Sequence, residues 1–450
     1  MELTIEKLIY GGDGLSRLPA DANGRGKAVF VPFVLEGERI EAALTQEKAG
    51  FARGELQKIV QPSSLRTPPS CPYFASCGGC HYQHSSYEHQ LEIKASILKE
   101  NLRRIAKLDL QVPLQIHPSP PWNYRNRTRL RLQTAPEFAL GYYRFGSHIL
   151  LPVEECPISS PLINKAIRVL WALGRTGSLD GKIREVEFFA NDDDSQLLVE
   201  IYSSTRRGGH AEKKVVEFPA DLADKTISST AWALEFRNLL PEAAGIAFFV
   251  DSETSGEKAG TPPGNVIGTG ELNYKTDHGT YRVSAGSFFQ TNRHLVDKLV
   301  EVVTAGRSGK TALDLFAGVG LFSTVLSREF EHVVAVESSQ HSAADLKYNA
   351  AANVRVARST VEKYLDDSAR KLRPDFVVVD PPRAGLGEKA AGRIVSLGAK
   401  QLTYVSCDPA TLSRDLVSLI GGGYKVQEAH LLDLFPQTFH METVLHLARN

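Results

Sequence analysis

From Phe288 onward the chain alternates short apolar runs with segments of helical spacing, and this alternation leaves few folds open. The runs are Ala312–Leu315, Val333–Val336, Phe376–Val379 and Leu402–Val405. Strands separated by helices are expected to pair in parallel, because only a long crossover returns the chain to the same end of a sheet. The expected C-terminal domain, 286–450, is therefore an α/β sheet of Rossmann-like type. Open α/β sheets bind ligands at the carboxyl ends of their strands, so the residues just past each run matter most.

The first run leads into Asp314-Leu-Phe-Ala-Gly318-Val-Gly320-Leu-Phe-Ser323. Glycines at a strand-to-helix turn let a nucleotide approach the backbone closely. Glu337 ends the next run about 20 positions later, where a carboxylate can accept hydrogen bonds from ribose hydroxyls. The glycines do not have the Gly-x-Gly-x-x-Gly spacing of dinucleotide sites. Asp380-Pro-Pro-Arg-Ala-Gly385 follows the third run, and Ser406-Cys407-Asp408-Pro409 the fourth. Two readings stand for Cys407: a small core side chain, the common fate of an unbridged cysteine, or a nucleophile at the rim of the sheet. Phe435-Pro-Gln-Thr-Phe-His-Met-Glu442 precedes a last apolar run, Val444–Ala448. Taken singly, His440 and Glu442 read as solvated surface.

Residues 1–60 have a different texture. Leu3–Leu8, Ala28–Val34, Arg39–Leu44 and Glu55–Val60 are strand-like, and Gly11-Gly-Asp-Gly14, Asn23-Gly24 and Glu36-Gly37 supply turns. Short strands at this density fit a small β-barrel of the OB type, a frequent RNA binder. Arg17, Arg25, Lys27 and Arg53 are candidates for phosphate contact, or else plain solvated surface.

A proline-rich linker, 61–69, opens a central α+β domain expected over 61–285. It begins with Cys71-Pro-Tyr-Phe-Ala-Ser-Cys77-Gly-Gly-Cys80, and Cys156-Pro157 lies further on. Glycines between close cysteines let backbone wrap a ligated centre. The set of Cys71, Cys77, Cys80 and Cys156 suits either zinc or an iron–sulfur cluster. His81 and His84 read as surface groups or as support for that centre. Tyr87–Lys107 has the spacing of an amphipathic helix. Arg125, Arg127, Arg129 and Arg131 alternate strictly, so on a strand they share one face. Four like charges cannot be buried unpaired, so that face meets water, carboxylates or phosphates, and RNA phosphate is the favoured partner. Asp251–Pro263 reads as a mobile loop.

Five cysteines, an odd number, do not make a disulfide scaffold. The formal charge of +0 is neutral toward nucleic acid binding. No apolar run is long enough to span a bilayer, and the N-terminus lacks the pattern of a signal peptide. The expected location is the cytoplasm, with no membrane and no DNA as partner.

The glycine loop resembles the adenosylmethionine site of class I methyltransferases, and Gly11 to Arg17 with Val29-Phe-Val-Pro-Phe-Val34 resembles the RNA-binding TRAM domain. Together with Phe288-Phe-Gln-Thr-Asn292 and the motifs around Asp380, Cys407 and Glu442, the chain resembles RNA uracil-C5 methyltransferases over nearly its full length. The resemblance implies Cys407 as nucleophile and Glu442 as base, with Gln290, Phe316, Glu337 and Asp380 lining the S-adenosylmethionine site. It also implies a [4Fe–4S] cluster on the four N-terminal cysteines. RNA would be the partner, 23S rRNA ahead of the T-loop of tRNA. A non-catalytic RNA-binding iron–sulfur protein on the same fold is the alternative. Two positions depart from the family pattern: Ala317 replaces a common Cys, and Asp408 a usual Asn. The second places negative charge beside Cys407, which raises a thiol pKa unless a cation such as Arg414 pairs with it.

Overall fold

The computed structural model describes residues 1–19, 24, 26–204, 226–251, 263–367 and 372–449. Asn23, Arg25 and most of the loop expected at Asp251–Pro263 lie outside them. Contacts divide the chain into two units, Met1–Pro121 with Asp375–Asn450, and Trp122–Pro374.

The first unit opens with strands β1 (Glu2–Thr4), β2 (Lys7–Leu8), β3 (Asp13–Arg17), β4 (Ala28–Pro32), β5 (Arg39–Glu47) and β6 (Phe51–Gln61). They form one sheet in the order β1-β5-β6-β4-β3-β2. Alternate residues turn inward, so Leu3, Val29, Val31, Ile40 and Ala42 make its core. Gly14 faces this core: a Cβ there would sit 2.4 Å from Val34 and 2.9 Å from Ile5. Beyond the cysteine loop comes helix α1 (Tyr87–Arg104), where Ser86 caps the N-terminus by accepting the His89 N–H. Its buried face carries Ile93, Ile97, Leu98 and Leu102, and also Lys94. Strand β7 (Leu114–His117) follows.

The second unit holds a seven-stranded sheet made of β8 (Arg127–Gln133), β9 (Ala139–Tyr143), β10 (Leu150–Pro152), β11 (Ile183–Ala190), β12 (Leu197–Ser204), β13 (Ala243–Asp251) and β14 (Asn265–Gly268). Their order is β10-β9-β8-β11-β12-β13-β14. Helices α2 (Pro161–Arg175) and α3 (Thr226–Leu239) share its apolar core through Ile163, Leu170, Trp232 and Phe236. A hairpin, β15 (Glu271–Thr276) and β16 (Gly279–Ser284), and helix α4 (Val296–Thr304) lead to the α/β stretch. There β17 (Gly309–Leu315), β18 (Phe330–Glu337) and β19 (Val354–Arg358) pair in parallel. They are connected by α5 (Ser323–Leu326) and α6 (Gln340–Asn349), and α7 (Val361–Asp367) follows.

The remaining elements return to the first unit: β20 (Phe376–Val379), α8 (Gly387–Leu397), β21 (Gln401–Ser406), α9 (Pro409–Gly421), β22 (Lys425–Leu432) and β23 (Glu442–Ala448). With β7 they run in the order β20-β21-β23-β22-β7. The pairing is not uniformly parallel, because β23 is antiparallel to both β21 and β22. No helix lies between β22 and β23, so the chain can only turn back. Contacts divide at 121 and 374 rather than at the expected 60 and 285, since β7 pairs with β22 and ties early and late segments together. Among the described residues no helix is long and apolar enough to cross a membrane.

The arginine ladder has a partner inside its own sheet. Arg129 and Arg131 on β8 lie opposite Glu187 and Glu185 on β11. Arg129 Nε donates to Glu187 at 2.5 Å, and Arg131 donates to Glu185. Arg127 and Arg129 also lie over the rings of Phe189 and Tyr202, at 4.3 and 4.2 Å. Carboxylates and aromatic faces on neighbouring strands thus meet Arg127, Arg129 and Arg131, while Arg129 and Arg131 stay partly exposed.

Overpacking the first core is a direct test of the N-terminal sheet. Gly14→Ala forces Val34 and Ile5 aside and should cost roughly 1–3 kcal/mol, read as a lower urea midpoint.

Candidate active site

Strand β21 stops at Ser406 and α9 starts at Pro409, leaving Cys407 half-buried at the bend. Asp408 is the N-cap of α9, and its Oδ1 accepts the Ala410 and Thr411 N–H groups, each at 2.9 Å. The extra charge beside Cys407 is therefore met by first-turn amides rather than by Arg414. Arg414 pairs with Asp415 at 2.9 Å and donates to the Ala384 carbonyl. Asp415 in turn accepts from Tyr404 Oη (2.7 Å) and the Leu386 N–H (2.6 Å), which fixes the loop after Asp380. Gly385, at φ +73°, leaves room for this anchor, since a Cβ would lie 2.5 Å from Asp415 Oδ2.

Glu442 opens β23 and is buried, not solvated. Burial, and then the Asp380 charge, hold its carboxyl well above the usual range. The Cys407 thiol is pushed up to about 12, first by burial and then by Glu442 and Asp380. Arg383 pulls the other way, while Asp408 adds a smaller push. Arg383 Nη2 also lies 3.3 Å from His440 Nε2, so the histidine belongs to the site's rim. Three of the expected residues, Cys407, Glu442 and Asp380, thus act on one another directly.

Tyr10 was not legible as a site residue. Its hydroxyl donates to the Cys407 carbonyl at 3.2 Å, and its ring meets Phe439 edge-on at 5.3 Å. The only local signal was its place before the Gly11-Gly12 turn. Burial and the charges of Asp408 and Cys407 raise its pKa, so it stays a neutral donor. A cavity of about 500 Å³ opens beside it, lined by Arg17, Phe30, Asn101 and Arg104 among others.

The segment that delivers Glu442 is clamped from α1 and from the cysteine loop. Lys94 Nζ, fully buried, donates to Asp433 at 2.6 Å and to the Phe435 carbonyl at 3.0 Å. Gln437 has a left-handed φ of +68°. Its carbonyl accepts the N–H groups of His81 and Tyr82, at 2.8 and 3.0 Å. Its own N–H and side-chain oxygen pair with the Gln90 amide, both at 3.0 Å. His81 also packs against Phe439, with centroids 4.6 Å apart. His81 and His84 are buried rather than on the surface, and burial lowers each to about 4, so both stay neutral.

Cys71, Cys77 and Cys80 lie in this first unit, and none of the five cysteines is in a disulfide. The Gly79 N–H donates to Cys77 Sγ at 3.4 Å, as a thiolate ligand would require. Cys156 belongs to the second unit, where the buried Arg125 guanidinium and the Tyr142 hydroxyl both act on its thiol. Amide and hydroxyl donors on sulfur, with a guanidinium charge nearby, fit an anionic, thiolate-held centre.

The other expected cofactor residues also lie in the second unit. Phe316, at the end of β17, has φ +68°, and Gly318 has φ +56° with open space where a Cβ would stand. Glu337 is held by the N–H groups of Gly318 (2.9 Å) and Ser339 (2.6 Å). Asp314 is buried and pushed up to about 7, mainly by loss of water. Its Oδ2 accepts from Ser323 at 2.5 Å, while Oδ1 has no protein partner among the described residues. An orphaned carboxyl oxygen beside an open glycine turn fits a ligand with a cationic amine. Gln290 is buried, and its carbonyl accepts from Asn126 Nδ2 at 3.0 Å.

Residues 266–450 match the family described as tRNA (Uracil-5-)-methyltransferase. An uncharacterized RNA methyltransferase of Aquifex aeolicus is 34% identical over 99% of this chain and 97% of its own. One from Halalkalibacterium halodurans is 30% identical over 99% and 96%. The crystal structure of Pyrococcus abyssi tRNA (uracil-54, C5)-methyltransferase in complex with S-adenosyl-L-homocysteine superposes with a TM-score of 0.72. That likeness has 25% identity and covers 100% of both chains. The chain belongs to the RNA uracil-C5 methyltransferase family and is an S-adenosylmethionine-dependent enzyme.

Two variants test this geometry. Lys94→Met strands Asp433 as a buried charge and should cost roughly 3–5 kcal/mol, whereas adding Asp433→Leu should recover most of it in urea melts. Asp314 binds its proton more tightly when folded, so its contribution to stability falls as pH rises from about 4 to about 7. Asp314→Asn should therefore gain thermal stability over the wild type across that window and show no gain below it.

Proposed function

We propose that the enzyme forms 5-methyluridine through a covalent bond between Cys407 and C6 of the target uracil. The observation that carries this reading is the place of Cys407 just past β21, next to Glu442 at the start of the paired β23, with the charges of Glu442, Asp380 and Arg383 acting on the thiol. Bound S-adenosylmethionine supplies an electrophilic methyl group on a positively charged sulfur. Gln290, Phe316, Glu337 and Asp380 hold it.

C5 of uracil is a weak nucleophile, so the ring is activated first. Cys407 thiolate adds to C6, and the C5–C6 π electrons move toward O4. C5 would then take the methyl group as its bond to the cofactor sulfur breaks, leaving neutral S-adenosylhomocysteine. Glu442 carboxylate removes the proton from C5, and the electrons left behind expel Cys407 thiolate and restore the double bond. Both groups must be ionised, yet crowding of negative charge opposes this in the resting site. Asp380 and Glu442 would be offset by the positive charge that S-adenosylmethionine brings when bound, and the Cys407 thiol would then ionise more readily.

A target uridine in folded RNA has to leave its stack at a cost of a few kcal/mol. Since the arginine ladder is paired internally, the cavity beside Tyr10 is the better place for a flanking nucleotide. Phe30 offers a face for stacking, and Arg17 and Arg104 offer charge. The N-terminal sheet is read as a TRAM-type RNA-binding domain. Cys71, Cys77, Cys80 and Cys156 are read as the ligands of a [4Fe–4S] cluster with a structural role, through the loop that clamps Gln437.

We favour 23S rRNA as substrate. A T-loop uridine of tRNA is the second reading, supported by the full-length likeness to the Pyrococcus abyssi enzyme. Labelled adenosylmethionine and total RNA lacking 5-methyluridine, followed by size separation, decide between them. Label in 23S rRNA supports the first reading and label in tRNA the second, while absence of label from both rejects the enzymatic proposal. Cys407→Ala should lose methyl transfer by several orders of magnitude. Glu442→Gln should instead trap a protein–RNA adduct that survives denaturation.

Alkylation of Cys407 should rise with pH and show no plateau below about pH 10 in the protein alone, as a raised thiol pKa requires. The midpoint should fall when a non-transferable cationic analogue of the cofactor is bound. It should move less with S-adenosylhomocysteine, whose sulfur is neutral.

A further inference from the structure

One face of the β20-β21-β23-β22-β7 strands carries the catalytic pair at one end and a row of histidines at the other. On β23, Glu442, Val444 and His446 point the same way, and the register sets them opposite Leu432, His430 and Glu428 on β22. His446 therefore lies four residues, about 13 Å, along the strand from Glu442. The buried Val405–Val444 pair separates the two ends, so the histidines take no part in the methyl transfer.

We propose that Glu428, His430 and His446 form a binding site for a divalent transition metal, zinc being the natural occupant. One ligand atom from each lies within 4.8 Å of the others. Glu428 Oε2 and His430 Nε2 are 3.5 Å apart. Metal bonds of about 2.0–2.1 Å in a tetrahedron place ligand atoms roughly 3.3–3.4 Å from each other, so this pair needs almost no adjustment.

The second observation is that both rings are already steered from behind. His446 Nδ1 lies 2.8 Å from the hydroxyl of buried Thr403, its register partner on β21. His430 Nδ1 lies 3.1 Å from His117 Nε2 on β7. With those nitrogens engaged, Nε2 of each ring is the ligand, the arrangement by which metal-binding histidines are usually oriented. Glu428 is exposed and gives the ion its way in from solvent. Two histidines and one carboxylate leave a fourth position for water, and nitrogen–oxygen sets of this kind suit zinc or cobalt rather than magnesium or calcium. The ion would bridge β22 and β23 and so brace the strand that presents Glu442.

Cobalt(II) titration of the cluster-loaded protein tests this. The expected result is one equivalent with the visible bands of tetrahedral cobalt and without the near-ultraviolet sulfur-to-cobalt band. Zinc should displace it. His446→Ala should abolish the bands, and so should Glu428→Gln, whose exposed position leaves folding intact. Thr403→Val, which touches no metal, should weaken binding by roughly tenfold or more. The proposal is overturned by absent bands, by bands unchanged in both ligand variants, or by a sulfur band that Cys71→Ser removes.

Discussion

Lys94 is buried completely, and an ammonium ion in that setting is tolerable only with a carboxylate and a further acceptor in place. Asp433 and the Phe435 carbonyl meet that need, which ties α1 to the segment leading into Glu442. Gln90 and the backbone after Cys80 close on the same segment through Gln437, in a left-handed conformation that a non-glycine residue holds only when its surroundings impose it. Glu442, the proposed base, is therefore placed by contacts made far from it in sequence. The cysteine loop is one of the two supports of that segment.

The active site is built against its own chemistry. The Cys407 thiol, which the proposed mechanism needs ionised, shares a water-poor corner with two carboxyl groups, Glu442 and Asp380. The two carboxylates disfavour the thiolate, and Asp380 disfavours the charged form of Glu442. Arg383 pulls the other way, yet the thiol stays raised. A thiol held in this way is a weak nucleophile until positive charge enters the corner.

The legible part of the molecule was the part whose signal is local. Strand-to-helix turns carry Cys407, Asp380 and the glycine loop, and each motif is short enough to read within its own element. Glu442 and His440 were readable only as surface when taken alone, because burial depends on which elements cover them. Asp408 looked like an unpaired charge, yet a helix begins at the next residue and its amides donate to the carboxylate. The ladder on β8 shows the same limit: its alternation was visible, but the identity of the facing strand was not. Glu185 and Glu187 stand more than fifty positions away, and only strand register sets them opposite the arginines.

By itself, then, the sequence determined the α/β pattern of the C-terminal half, the turn at which each reactive group sits and the likeness to uracil methyltransferases. Those are consequences of apolar periodicity and of turn chemistry within a few residues. Tertiary structure alone decided which groups share a corner, that Tyr10 stands beside Cys407, and that His430 and His446 converge with Glu428. Ionisation and metal affinity depend on distances of a few ångströms and on exclusion of water, and neither is encoded in the spacing of residues along the chain.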